Sequence, residues 1–191
     1  IWKGLQDCYA DLRKNVKAEY DCEIKQLAAI GISAMMHGYM AFDKEGTLLV
    51  PFRTWRNTIT GEASEELTAL FHYHIPQRFS IAHLYQAMLK KEPHLTKIDS
   101  LLTLAGYINW QMTGEKVIGI GEASGMFPID IQTKDYNQNM INQFEEKAAS
   151  MGYNFHLREL LPKTALAGEI AGYLTEEGAR KLDVSGSLKA G

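Results

Sequence analysis

Three residues stand together where chemistry is possible: Met36, His37 and Gly38, in the stretch IGISAMMHGYMAFDKEGTLL from Ile30 to Leu49. A neutral imidazole donates at one ring nitrogen and accepts at the other near neutral pH. At the end of an apolar run it can meet a polar ligand, because open α/β sheets bind outside the carboxyl ends of their strands. Gly38 presents no side chain, so a ligand can approach the backbone there. Met36 offers an adaptable apolar wall. The competing reading of His37 is a core histidine satisfied by a backbone carbonyl. Arg78 precedes a helix start, where its fork of donors can take hydroxyl or phosphate oxygens; a solvated surface arginine is the plain alternative. Trp55, Arg56 and Asn57, just after the hairpin, read as a polar-aromatic wall of the kind sugars favour, or as a packed tryptophan with solvated neighbours.

Other patterns carry less. GIGEASG lacks the dinucleotide spacing and reads as a turn. His72 and His74 diverge on a helix with no third ligand, so no metal site is expected. No Gly-x-Ser-x-Gly elbow, His-Glu-x-x-His helix or Gly-x-x-x-x-Gly-Lys phosphate loop occurs.

These residues need elements to position them. Trp2, Leu5, Tyr9, Leu12 and Val16 step by three and four, predicting an amphipathic helix. Leu27 to Ala34 is short and apolar and predicts a central strand buried on both faces. Residues 38–42 and 47–52 predict a hairpin around an Asp43-to-Gly46 turn. Helices are predicted from Ser64 and from Ser80, each serine as N-cap, then over 100–114, over 137–152, and after Thr175. A helix feeding an apolar strand argues an α/β fold.

The chain of 191 residues, 46% hydrophobic with net charge -3, is long enough for a core without disulfides. Near-neutral charge argues against nucleic acid or an anionic membrane as partner. No apolar run approaches the ~20 residues of a membrane span. Cys8 and Cys22 fit neither a disulfide framework nor a metal knuckle and are expected as free, partly buried thiols of a cytoplasmic protein. Both ends look cut, so the chain reads as part of a longer protein.

In combination the residues resemble a known family. AIGISAMMHGYMAFDKEGTLLVPFRTWRN, from Ala29 to Asn57, resembles the first-domain segment of FGGY-family carbohydrate kinases, xylulokinase-like members above all. RFS at Arg78, INWQMTGE at Ile108, GEASGMFPID at Gly121 and LPKTALAGEIAGYLT at Leu161 follow in the family's order. Ala34 and Met35 stand where the family has Gly and Gln, and Asn57 stands where it has an aspartate.

The resemblance implies a ribonuclease H-like fold of the actin/hexokinase ATPase type, incomplete at both ends. Residues 1–191 would be a partial first, sugar-binding domain, without the second, ATP-holding one. It implies ATP-dependent phosphorylation of a pentulose such as xylulose by the whole protein, with ATP and Mg2+ as cofactors there and none held by these residues. Met36, His37, Gly38 and Arg78 would line the sugar pocket, with Trp55 and Asn57 beside them. No residue matches the catalytic aspartate: Asp99, Asp130 and Asp183 do not fit, and the base would lie beyond Gly191. Kinase activity is therefore not expected of these residues alone. A non-catalytic sugar-binding or regulatory module is the rival. The family's first strand, expected upstream of Ile1, would leave one edge of Ile30 to Ala34 unpaired, which predicts self-association or poor stability of these residues alone.

Overall fold

A computed structural model describes all 191 residues. Helix α1 (Trp2–Tyr20) opens the chain and ends at Asp21 in a left-handed conformation, φ 47°. A long extended segment follows, then β1 (Met40–Phe42), α2 (Gly61–Phe71) and α3 (Ser80–Leu89). Next come β2 (Ser100–Leu102), α4 (Leu104–Thr113), β3 (Val117–Gly119), α5 (Ile120–Ala123), β4 (Ile129–Asp130) and β5 (Asp135–Tyr136). The chain finishes with α6 (Gln138–Ser150), α7 (Leu157–Leu160), β6 (Lys163–Ala165) and α8 (Glu176–Leu182). No helix is long and apolar enough to cross a membrane.

Strands pair two by two: β1 with β2 antiparallel, β3 with β6 parallel, β4 with β5 antiparallel. The expected hairpin forms around β1. Phe42 bridges Leu48, Tyr39 bridges Arg53, and Asp43 N–H closes the turn on Thr47 O at 3.1 Å. Behind it, Tyr39, Ala41, Leu67, Ile81, Leu84, Tyr85, Phe127 and Phe144 make the main core between the hairpin, α2, α3 and α6. A second core of Tyr9, Ile108, Met112, Leu174, Ala179 and Leu182 joins α1, α4 and α8. The Thr175 cap is as expected, its hydroxyl accepting from Gly178 N–H at 3.0 Å.

Several expectations are corrected. Leu27 to Ala34 is not a buried strand. It runs extended with no strand partner, and Ile30 is 40% exposed. Its apolar composition matches a central strand, but a strand exists only through its ladder, and none is present on either side. Ser64 lies inside α2 rather than capping it, and its hydroxyl reaches Ile75 O at 2.5 Å. Ser80 is the first residue of α3, with its hydroxyl on Gly38 O at 2.6 Å. Residues 100–102 are strand, because their pairing with β1 overrides the helical spacing, and α4 begins after Thr103, whose hydroxyl caps Gly106 N–H at 3.3 Å. The stretch from Gly119 is not all loop, since Ile120–Ala123 makes a helical turn. His72 ends α2 at φ 48°, leaving His74 outside the helix. Cys8 and Cys22 are free but exposed, because α1 packs through Trp2, Leu5 and Tyr9 and turns Cys8 outward.

Candidate functional site

Three loops meet at His37. The first is Met36–Gly38, entering β1. The second is Arg78–Phe79, entering α3. The third is the turn after α5 that ends in Gly125. His37 Nε2 lies 3.1 Å from Arg78 Nε, and Nδ1 lies 3.3 Å from Gly125 O. Arginine can only donate, so Nε2 accepts and the ring proton sits on Nδ1, donating to the carbonyl. The ring stacks on Phe79, centroids 5.5 Å apart. Burial pushes the His37 pKa down; the Gly125 bond opposes that and the Arg78 charge reinforces it. The imidazole is therefore neutral at pH 7, a polar wall rather than a cation.

The backbone repeats these links. Gly38 N–H donates to Arg78 O at 3.3 Å, and Ser80 Oγ–H donates to Gly38 O. His37 itself sits at φ 67°, a left-handed conformation costing a non-glycine residue roughly 1–2 kcal/mol. Such strain survives where surrounding structure imposes it, often at ligand sites. Gly38, at φ 101°, is buried, and a Cβ there would meet Arg53 O at 2.7 Å, so the missing side chain serves the hairpin's own packing.

Gly125 was not singled out by its sequence, where GIGEASG reads only as a turn. In the fold a Cβ at Gly125 would stand 2.5 Å from His37 Nδ1 and 3.0 Å from Met36 Cε. Only glycine lets the third loop close on the first. The signal available was the glycine after a short Ala-Ser pair in the GEASG segment.

Met36, His37, Gly38 and Arg78 are thus brought together. Trp55 and Asn57 are not joined to them by any hydrogen bond or ring contact. Trp55 is 47% exposed with the Arg56 guanidinium 5.2 Å over its ring, and Asn57 Oδ1 accepts from Ile59 N–H at 3.1 Å within its own turn.

Behind the hairpin lies a buried polar network. Tyr39 Oη is 2.8 Å from His94 Nε2, His94 Nδ1 is 3.4 Å from Glu92, and Glu92 pairs with Arg53 at 2.5 Å. Beside it His83 is 0% exposed, with no partner at either ring nitrogen, and burial lowers its pKa to about 4. Tyr39 follows Gly38 directly, so this network anchors the first loop. A separate cavity of about 570 Å³ lies between Leu27–Ile32, Met112 and Ala171–Leu174 and touches none of the candidate residues.

With this geometry in hand, the likenesses to known proteins are specific. Residues 1–186 match the FGGY family of carbohydrate kinases, N-terminal domain. L-fuculokinase of Escherichia coli K12 is 26% identical over 186 residues, 91% of this chain and 36% of its own length. Xylulose kinase of the same organism is 24% identical over 168 residues, 82% of this chain and 32% of its own. The chain thus spans about a third of these relatives. The crystal structure of a ligand-bound xylulose kinase from Lactobacillus acidophilus superposes with a TM-score of 0.73 at 18% identity, covering 95% of this chain and 35% of that one. That likeness gives the fold, the α/β architecture of actin/hexokinase-like ATPases.

Proposed function

Because this chain belongs to the FGGY family of carbohydrate kinases, we propose that it forms the sugar-binding part of an ATP-dependent kinase acting on a small sugar of pentulose size. The observation that carries this reading is the convergence of Met36, His37, Gly38 and Arg78, the residues the resemblance assigns to the sugar, on one strained and cross-linked site. The names of the relatives, a fuculokinase and xylulose kinases, support a ketose-like substrate.

The residues of this chain do not fit the ATP–Mg2+ group the family implies. No three His, Cys, Asp or Glu side chains stand close enough to hold a metal ion, and no phosphate loop occurs. Residues 1–191 alone are therefore proposed to be inactive. What these residues do is bind and orient. Neutral His37, with its Nε2 occupied by Arg78, supplies a rigid polar edge; Met36 supplies apolar contact; Arg78 donates to oxygens. Phosphoryl transfer depends on such positioning.

The test is sugar-dependent ATP consumption by the complete gene product, screened against ketoses and aldoses of five and six carbons. Turnover with a subset of sugars is expected. Absence of turnover with every sugar, together with sugar binding, would favour a non-catalytic sugar-binding module.

A further inference from the structure

We infer that Tyr39 and His94 are positioning residues for sugar binding: their buried hydrogen bond, closed into a ring by Arg53 and Glu92, holds His37 in its strained conformation without touching the ligand. This role rests on the kinase reading above and deepens it.

The ring joins three segments. Tyr39 stands at the entry to β1, Arg53 on the returning arm of the hairpin, and Glu92 and His94 after α3. Tyr39 Oη lies 2.8 Å from His94 Nε2. His94 Nδ1 lies 3.4 Å from the Glu92 carboxylate, which takes the Arg53 guanidinium at 2.5 Å. Arg53 closes the circuit through its backbone: Tyr39 N–H donates to Arg53 O at 2.8 Å, and Arg53 N–H donates to Tyr39 O at 3.2 Å. Nδ1 of His94 faces a carboxylate, so the ring proton sits there, and Nε2 accepts from the Tyr39 hydroxyl. Burial keeps both groups neutral, lowering the His94 pKa against the pull of Glu92 and raising that of Tyr39.

Tyr39 is 0% exposed and His94 7%, so neither meets a ligand. Their reach to the site runs through the backbone. Helix α3 is buried from Ser80 to Met88 and is about 15 Å long. At its start Ser80 Oγ–H donates to Gly38 O at 2.6 Å, and beyond its end His94 holds the Tyr39 side chain. One stiff element thus grips two adjacent residues, Gly38 and Tyr39, from both of its ends. His37 precedes them at φ 67°, a strain that persists only where its surroundings impose it.

Stability alone does not call for such a ring. A buried ion pair and its polar neighbours are costly to desolvate, and apolar side chains of similar volume hold a core as well or better. What the ring adds is direction, because hydrogen bonds fix distances and angles that packing leaves soft. The ring of Tyr39 is boxed accordingly, with His83 5.9 Å away, His94 5.8 Å away and the Arg53 guanidinium 5.5 Å over its face.

The experiment uses the complete gene product and compares Tyr39→Phe with the double variant Tyr39→Phe/His94→Leu, measuring thermal unfolding beside sugar and ATP kinetics. Tyr39→Phe leaves His94 Nε2 buried without a donor, so stability and sugar use should both fall. The double variant removes both partners and leaves Glu92 its bond to Arg53, so its melting temperature should return close to wild type. Its sugar KM should nevertheless stay about tenfold or more above wild type, with the KM for ATP unchanged, because the loop has lost its alignment. A double variant that recovers wild-type sugar KM along with its stability makes the ring a packing feature and overturns the inference, leaving the kinase reading standing. So does a folded Tyr39→Phe with wild-type sugar kinetics, and so does unfolding of both variants, which would make the ring a folding element. Absence of turnover with every sugar in the wild-type protein overturns the kinase reading and the inference with it.

Discussion

Arg78 donates from Nε to Nε2 of His37 across 3.1 Å, joining a residue before β1 to a residue before α3 that stands 41 positions later in the chain. The bond sets the imidazole tautomer, fixes one face of the guanidinium and holds the two loops together. Site and fold are coupled through it, so changes here should be read in both stability and sugar use.

The third loop should be intolerant of any side chain at Gly125. Gly125→Ala puts a methyl 2.5 Å from His37 Nδ1, well inside van der Waals contact. The expected cost is about 1–3 kcal/mol of stability, typical of overpacking, with loss of the Nδ1–H bond. Gly121→Ala, where a Cβ meets nothing within 4 Å, should be near neutral. Thermal unfolding of the two variants checks the contrast. Equal behaviour would mean that the third loop does not close on His37.

Buried His83 should make the chain acid-sensitive. Its folded pKa, about 4, lies below the ordinary 6.5 because burial disfavours the charged ring. The unfolded chain therefore binds a proton that the folded one refuses, and stability falls as pH drops from 6.5 toward 4. The effect is on the order of 3 kcal/mol for this one group. His83→Leu should flatten that limb and stabilise the protein at pH 7, since two partnerless nitrogens leave the core. Denaturant titrations at several pH values decide it; an unchanged pH profile would contradict the assignment.

Asp183 works at lower pH and with the opposite kind of group. Burial alone would raise its carboxyl, but Ser185, Leu188 and the Arg13 guanidinium together hold it below the usual 3.8. Its side chain is 3% exposed and accepts from the backbone N–H groups of Ser185, Ser187 and Leu188. Its contribution is present above the unfolded pKa and is lost as pH falls below about 3.8. Asp183→Asn should cost roughly 2–3 kcal/mol at pH 7 and soften unfolding below pH 4. Calorimetry at pH 7 and pH 3 is the check, and equal losses at both would exclude this role.

Residues 1–191 should self-associate. Gln26 to His37 makes no backbone hydrogen bond, although Leu27, Ile30 and Ile32 give it a strand-like apolar composition. Exposed unpaired edges recruit other chains. Light scattering across concentrations should show growth in mass, reduced by Ile30→Lys. A constant monomer mass would show that the segment is covered from within.

Much of this was legible in the sequence, and the failures are instructive. Trp2 to Val16, the Asp43–Gly46 turn, the Asn137 helix and the Thr175 cap all depend on local periodicity or capping, and all appear. Leu27 to Ala34 misled because burial depends on neighbours that a local pattern cannot supply. Ser64 and Ser80 misled because a serine hydroxyl can satisfy a distant carbonyl as well as a cap. Within the site, Met36, His37, Gly38 and Arg78 were visible through the family motif. Gly125 was not, because its importance lies in a contact made 88 residues away in sequence. The buried Arg53–Glu92–His94–Tyr39 network is likewise formed only by long-range packing.

The central claim is that the His37 assembly binds the sugar. Steady-state kinetics of His37→Ala in the complete gene product tests it most directly. The account predicts a loss in sugar kcat/KM worth roughly 1–3 kcal/mol, from the buried Gly125 carbonyl left unpaired and the Arg78 guanidinium left unanchored, with the KM for ATP unchanged. A folded His37→Ala variant with wild-type sugar KM and kcat would contradict it and leave His37 a packing residue.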